Sequence, residues 1–247
     1  KANILLQAVA TEWGGLSIPI LRGSKYAHGA LISTTETLQT DGPWGASGDV
    51  LNYTVVNNNG VSKYAIRKQP YTAKYVDRVA GIGIPYSTYT IFTTDETLMV
   101  RAEAKALLGR YEEALSDLNL ELSVFSKKGV KLTLQGIQDF YKGVKYYTPE
   151  HPTPRKELHV TPALEATTQE PLLQAILQLR RILTIHEGLR MQDIKRYGIT
   201  IYRRRVNVSN AVEAVTDKME ARDPRLAIQI PQDVISAQLE PNPRNGA

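Results

Sequence analysis

Apolar positions from residue 98 onward recur every three or four residues, which is the spacing of amphipathic helices. Leu98, Ala102 and Ala106 share one helical face. Thr93 precedes Glu96 by three residues, as in the capping box that begins many helices. This pattern predicts a first helix that starts after Thr93 and ends before residue 109.

A second helix is expected after Gly109, because glycine readily adopts the left-handed conformation that ends a helix. Its apolar stripe consists of Tyr111, Ala114, Leu115, Leu118 and Leu122. The stretch "LMVRAEAKALLGRYEEALSDLN" at residues 98–119 therefore predicts a helical hairpin, in which small alanines on the first helix let the second approach closely. One hairpin cannot bury its own apolar face, so further helices are needed as stacking partners.

Two of these partners are predicted downstream. Helical spacing over 134–146 indicates a third helix, and a capping-box spacing of Thr167 and Glu170 indicates the start of a fourth. We expect the fourth helix to run without a break to Tyr197 and to stop at Gly198. At its full length it would span roughly 40 Å.

The first 92 residues have a different pattern. Apolar runs are short and are separated by turn-forming stretches such as "DGPWGASGD" at 41–49. Two β-branched, tyrosine-bearing runs flank an Asn-Gly pair at 59–60, which predicts a β-hairpin. After residue 221 we expect a turn, a short extended run, a brief helix and a proline-rich end.

The predicted fold class is therefore mostly α. We expect a tetratricopeptide-like α-α superhelix with irregular loops and a small β-hairpin. Residues 1–92 form the irregular loop and hairpin region, which carries the candidate ligand-binding face. Residues 93–247 form the helical region, and both belong to one continuous structural domain.

The amino-acid composition excludes several classes of function for this chain. Hydrophobic residues make up 42% and charged residues 22% of the 247, as in ordinary globular proteins. There is no cysteine, which excludes disulfides and thiolate chemistry in this chain. The net charge of +5 is mild, and "YRRRV" at 202–206 is interpreted as a solvated face. Nucleic acid is not an expected partner, because a dense basic stripe is missing. No signal peptide or membrane-spanning run is present, so we expect either a processed protein or a piece of a longer one.

The sequence motifs give little support for an enzyme activity. The four histidines have no metal-ligand spacing, "GIGIP" at 81–85 has only two glycines of a nucleotide-binding pattern, and "WGASGD" is not a nucleophile elbow. No pair of carboxylates stands out as a glycosidase dyad. We therefore expect no enzyme, no cofactor and no metal site.

Aromatic residues in loops support a binding function instead. Trp13 and Trp44 both lie in glycine-rich segments, where an indole could stack on the C–H face of a sugar ring. Asp41 could accept a hydroxyl proton nearby, and Tyr53 and Tyr64 on the predicted hairpin are weaker candidates. The alternative is that each tryptophan plugs a loop onto the helices, since large aromatics are usually buried.

Three stretches together resemble the SusD/RagB family of glycan-capturing outer-membrane lipoproteins. They are "DETLMVRAEAKALLGRYEEALSDLN" at 95–119, "RRILTIHEGLRMQDIKRYG" at 180–198 and "DPRLAIQIPQDVISAQLEPNPRN" at 223–245, and their order and spacing also fit. The resemblance implies the C-terminal portion of a longer protein, whose signal peptide and lipid anchor lie upstream. The departure is Gln192, where the family often carries a bulky apolar residue.

The matched motif residues are expected to be structural. They are Arg101, Glu103 and Gly109 in the first stretch, Glu187, Arg190, Asp193 and Arg196 in the second, and Asp223 and Arg225 in the third. The four charged residues of the second stretch step by three along one helix. They can pair with each other or with neighbouring loops.

The function implied by the resemblance is the capture of an oligosaccharide or polysaccharide at the extracellular face of the outer membrane. The captured glycan would be delivered to a TonB-dependent outer-membrane transporter, and the only membrane attachment would be the upstream lipid anchor. The alternative is a generic tetratricopeptide-like scaffold for protein–protein interactions. A peptide groove would be lined by helix faces, whereas a glycan site would lie on loops and carry aromatic side chains.

Overall fold

The computed structural model describes residues 3–10, 28–53, 55–57, 63–66, 72–185 and 187–244. In chain order its helices are a π-helix Ile32–Glu36, α1 Ser47–Val50, α2 Thr94–Leu107, α3 Tyr111–Phe125, α4 Leu134–Gly143, α5 Gln169–Leu183, α6 Arg190–Tyr197, a 3-10 helix Pro224–Leu226 and α7 Gln232–Ser236. Trp13 and the turn that was predicted around residues 58–60 lie outside the described residues.

The strands pair in antiparallel sets throughout the described part of the chain. They are β1 Asn3–Ala10, β2 His28–Gly29, β3 Asp41–Gly42, β4 Gly45–Ala46, β5 Val55–Asn57, β6 Lys63–Ile66, β7 Thr72–Asp77, β8 Ile82–Thr93, β9 Ile201–Val206 and β10 Val212–Met219. The sheet orders are β1-β8-β7, β2-β6-β5, β3-β4 and β9-β10. The predicted hairpin is confirmed as the pair β5-β6, in which Val55 faces Ile66 and Asn57 faces Tyr64.

The predicted hairpin of α2 and α3 is present. Thr93 Oγ1 accepts a hydrogen bond from the Glu96 backbone N–H at 3.0 Å, which is the predicted cap of α2. Gly109 has φ +75°, the left-handed conformation expected between the two helices. Ala102 and Ala114 are fully buried in the same core cluster, where their small side chains let the helix backbones approach.

The prediction of one long fourth helix is wrong. The chain leaves the helical path after Leu183, and Gly188, with φ +80°, lies in the turn before α6. Gly198 ends α6 with φ +60°, as predicted. A Cβ at Gly198 would lie 2.9 Å from the Cβ atoms of His159 and Ala221, so this position tolerates only glycine. The third helix is also shorter than predicted, because α4 ends at Gly143 rather than 146.

The start of α5 is capped differently from the prediction. The N-cap residue is Thr168, and its side chain makes no cap hydrogen bond. The carboxylate of Glu165 instead accepts the backbone N–H groups of Thr167, Thr168 and Gln169, the last two at 2.7 and 3.1 Å. These bonds stabilise the charged form and lower the pKa of Glu165 to about 2.

The core lies between the helices. Its larger cluster combines side chains from α2, α3, α4 and α5 with Trp44 and Leu51, and its smaller cluster contains Leu177, Ile194, Tyr197, Ile199 and Leu226. Helix α5 is the centre of the fold, because nearly all of its side chains are buried.

The fold is therefore mixed rather than simply helical. Helices form the core, but strand pairs are also found where only helices were predicted, in residues 201–219. The "YRRRV" stretch is strand β9. Arg203 and Arg205 are exposed, as a solvated face predicts, but the side chain of Arg204 is only 7% exposed.

The close contact between α2 and α3 gives a test. Ala102→Leu adds methylene groups where the side chain is fully buried, so we expect it to lower the free energy of unfolding by about 1–3 kcal/mol. Val100→Leu is the matched control, since Val100 lies on the same helix and is 46% exposed. Urea unfolding of both variants measures the difference, and equal stability would contradict the packing.

Candidate functional site

Trp44 is buried rather than available to a sugar. It follows β3, its side chain is 4% exposed, and its Nε1 donates a hydrogen bond to Ser47 Oγ at 3.0 Å. A Cβ on Gly42 would lie 2.4 Å from the indole ring, so the ring rests directly against that glycine backbone. The expectation that the Trp44 indole could stack on a sugar ring is wrong, because the ring is buried and packs against the Gly42 backbone.

The other predicted contact residues do not gather around Trp44 as a platform. Asp41 is exposed, and its backbone oxygen accepts a hydrogen bond from Gln178 Nε2 at 2.8 Å. Tyr53 stacks on Phe125 with ring centroids 6.4 Å apart, and burial raises its pKa. The backbone of Tyr64 pairs with His28 across β2 and β6. Trp13 lies outside the described residues.

The matched motif residues form a buried ion network around Glu103. The Glu103 side chain is 1% exposed, and its carboxylate is bonded to Arg180 of α5, to Arg196 Nη1 at 2.9 Å and to the Tyr197 hydroxyl at 2.5 Å. Arg180 also bonds Asp193 of α6. One network therefore joins α2, α5 and α6.

Opposing effects set the protonation of Glu103. Burial raises the pKa of its carboxyl, but the hydrogen bond and charge of Arg180, with the bonds from Tyr197 and Arg196, lower it further than burial raises it. The net pKa lies below its usual value, so Glu103 stays charged. The desolvation cost of this buried charge is offset only while its partners remain in place.

The predicted ladder on α6 is partly confirmed. Asp193 and Arg190 lie 3.6 Å apart, as a step of three along a helix allows. Arg196 instead reaches across to Glu103 on α2, not to a loop. Glu187 is exposed in the turn before α6.

Sequence reasoning missed Arg180, which holds this network together. Its position carried a signal: Leu173, Ile176 and Leu177 put residue 180 on the same helical face. A charged residue in an apolar stripe needs buried partners of opposite charge, and here these are Glu103 and Asp193.

The remaining motif residues also make structural ion pairs. Arg101 binds Asp117 through two hydrogen bonds of 2.7 and 2.9 Å, which ties α2 to α3. Arg225 binds Asp223 at 2.7 Å and Asp217 of β10 at 2.8 Å, which fixes the turn after that strand.

Two surface clefts away from the Glu103 network are candidate sites among the described residues. The first, here called the α4 cleft, has about 470 Å³ and is lined by Gln135, Gln138, Asp139, Lys142, Arg155, Ala166, Thr167 and Pro171. The second, here called the α2–α3 groove, has about 370 Å³ and is mostly apolar, lined by Thr94, Asp95, Thr97, Leu98, Arg101, Leu120 and Val124. Polar side chains thus make up most of the lining of the α4 cleft, whereas the α2–α3 groove is lined mostly by apolar faces of its two helices.

Over the described residues, no three or more acidic or histidine side chains come together in a way that could hold a metal ion. Nor does that part of the chain contain a helix with the length and apolar character needed to cross a bilayer.

The Glu103 network gives a second test. Glu103→Gln leaves Arg180 and Arg196 without their shared carboxylate, so we expect a loss of about 3–5 kcal/mol in the free energy of unfolding. Glu113→Gln is the matched control, since Glu113 pairs with Arg110 on the exposed surface, where such pairs contribute about 0–1 kcal/mol. Denaturant unfolding at neutral pH distinguishes them, and equal losses would contradict a buried network.

Comparison with known proteins adds no relative. No family model, curated protein or solved structure matches this chain. The assignment of function therefore depends on the residues and clefts described above.

Proposed function

We propose that the chain is part of a SusD/RagB-type nutrient-capture protein. In this proposal it binds an oligosaccharide at the outer face of the outer membrane and delivers it, without catalysis, to a TonB-dependent transporter. Attachment to the membrane is through a lipid anchor upstream, as the resemblance implies. The finer fold assignment, a tetratricopeptide-like α-α superhelix, belongs to the same proposal.

One observation carries the proposal: the three stretches that resemble the family meet in space. Glu103 of the first stretch is bonded to Arg196 of the second, and Arg180 joins Glu103 to Asp193. Leu226 of the third stretch belongs to the same small core cluster as residues of α6. If each stretch resembled the family only by chance, there would be no reason for the three stretches to pack together and share ion pairs.

The α4 cleft is the better sugar site among the described residues. Planar amide and carboxylate groups suit sugar hydroxyls, because each can donate or accept two hydrogen bonds in a fixed plane. Gln135 Nε2 lies 2.8 Å from Asp139 Oδ1, and this hydrogen bond fixes the orientation of both side chains on α4. Tyr146 is 40% exposed beside Arg155, whose guanidinium carbon lies 4.1 Å from the ring centroid. The cleft thus combines polar groups with a neighbouring aromatic ring.

A glycan-array screen of the purified protein is the first experiment, followed by calorimetric titration of the glycan retained. Asp139→Ala should weaken binding roughly ten- to hundredfold, because it removes an acceptor whose charged hydrogen bonds contribute about 1.5–3 kcal/mol. The fold should remain intact, since Asp139 is exposed.

Asp233→Ala serves as the control, because Asp233 is an exposed carboxylate on α7 that does not line the cleft. Equal affinities of both variants would remove the α4 cleft from the proposal. If the intact protein retains no glycan and does not bind a transporter barrel in a pull-down, the proposed function itself is wrong.

The second candidate function is a scaffold that binds a peptide or protein, and the α2–α3 groove favours it. The groove is lined by helix faces, and Leu120 and Val124 are 53% and 51% exposed there. This is the geometry expected of a peptide groove rather than of a glycan site.

The two candidates respond to different changes. Leu120→Asp places a charge in the apolar groove, so it should abolish binding of a helical or apolar peptide while leaving glycan affinity unchanged. Asp139→Ala should do the reverse. Pull-down and glycan titration of the same two variants decide between the functions, and loss of glycan binding in Leu120→Asp would contradict the assignment of the sugar site to α4.

A further inference from the structure

A small chamber, here called the cation chamber, lies between α5, α6 and the segment that follows the π-helix. Its wall contains Glu36, Thr37, Lys156, Arg181 and Arg190. The space is about 10 Å³, which is enough for about one water-sized particle. Glu36 ends the π-helix and Thr37 follows it, so the end of this helix forms part of the wall, and single π-helical turns are frequent at functional sites.

Positive charge around the chamber exceeds negative charge. Both carboxylate oxygens of Glu36 are already engaged, one by Arg204 of β9 and the other by Lys156 Nζ at 3.6 Å. Among the described residues, Arg181 makes a long contact of 3.5 Å with the backbone oxygen of Glu36. Three cations of the wall, Lys156, Arg181 and Arg190, and the neighbouring Arg204 therefore outnumber Glu36, which is the carboxylate among the described wall residues.

Asp193 does not neutralise the excess positive charge of the chamber. It lies 3.6 Å from Arg190, but its carboxylate already bonds Arg180 in the Glu103 network. Burial and the charge of Arg181 together lower the pKa of Arg190 to about 9, although Asp193 opposes this shift. Burial also lowers the pKa of Lys156 well below its usual value, against the opposing charge of Glu36.

Two buried donors, one in the chamber wall and one on the arginine that binds Glu36, have no hydrogen-bond partner among the described residues. The hydroxyl of Thr37, which lines the chamber and is 3% exposed, has none. Neither has Nη1 of Arg204, whose side chain is 7% exposed and whose other terminal nitrogen bonds Glu36. A buried donor without an acceptor costs about 1–3 kcal/mol elsewhere in proteins, and more when it is charged.

We propose that the cation chamber binds a single monatomic anion, chloride. Such an ion would accept hydrogen bonds from the unpartnered Thr37 hydroxyl and would offset the excess charge of Arg181, Arg190 and their neighbours. A monatomic anion suits this small space better than sulfate or phosphate, which carry four oxygens each. The site is separate from the α4 cleft and does not depend on the proposed function.

The test uses the purified protein, dialysed into sodium gluconate and then titrated with sodium chloride at constant ionic strength. A ligand that binds only the folded state stabilises it, so the melting temperature should rise by about 3–6 °C when chloride reaches ten times its dissociation constant. Crystals soaked in bromide should show an anomalous peak between Thr37 and Arg181.

Matched arginine variants locate the effect. Arg181→Gln removes a cation from the chamber wall and should raise the half-saturating chloride concentration roughly tenfold. Arg203→Gln is the control, because Arg203 is exposed on β9 beside the buried Arg204 and should behave as the unchanged protein does.

Equal melting temperatures in gluconate and chloride, together with no bromide peak in the chamber, would overturn the proposal. The chamber would then hold a water molecule instead. A chloride effect without a bromide peak at this position would also overturn it, since the ion would then bind elsewhere. If Arg181→Gln does not fold, the bromide experiment on the unchanged protein still decides.

Discussion

The buried carboxylate of Glu103 is the point on which the arrangement of the helices depends. It is 1% exposed and is bonded to Arg180, Arg196 and Tyr197, which come from two other helices. A charge in this position is tolerated only if every partner arrives in the right geometry. The network therefore does more than hold α2, α5 and α6 together: it specifies which faces of these helices meet.

The break between α5 and α6 follows from the same constraint. A straight helix rises ~1.5 Å per residue, so it would carry Asp193 and Arg196 away from Arg180 and from α2. The turn that contains Gly188 breaks the helix instead, and Asp193 of α6 can then bond Arg180 of α5. A continuous helix would have kept local hydrogen bonds, but it would have left Arg180 and Glu103 without their remaining partners.

Two buried charged clusters in this fold differ in their balance. Around Glu103, each buried charge has a partner of opposite sign, so the cluster serves the scaffold. In the cation chamber, the cations outnumber the carboxylates and donors remain without acceptors. The first cluster needs nothing more, whereas the second is chemically incomplete, which is why it is the one that we assign to a ligand.

The sequence by itself determined the local elements. The capping of α2 by Thr93, the left-handed Gly109 and Gly198, the paired runs of β5 and β6 and the close-packed α2–α3 hairpin all follow from neighbouring residues, because propensity, capping and periodicity act over a few positions. Only the tertiary structure decided which charges and rings would be buried. Trp44 sits in a turn-rich segment that predicts exposure, but Gly42 and Ser47 close over its ring. The carboxylates that pair with Arg180, Arg204 and Lys156 lie on elements distant in sequence. Burial is a sum over all the elements that meet at one place, so a local pattern such as the apolar stripe that contains Arg180 marks a helix face but not the partners that cover it.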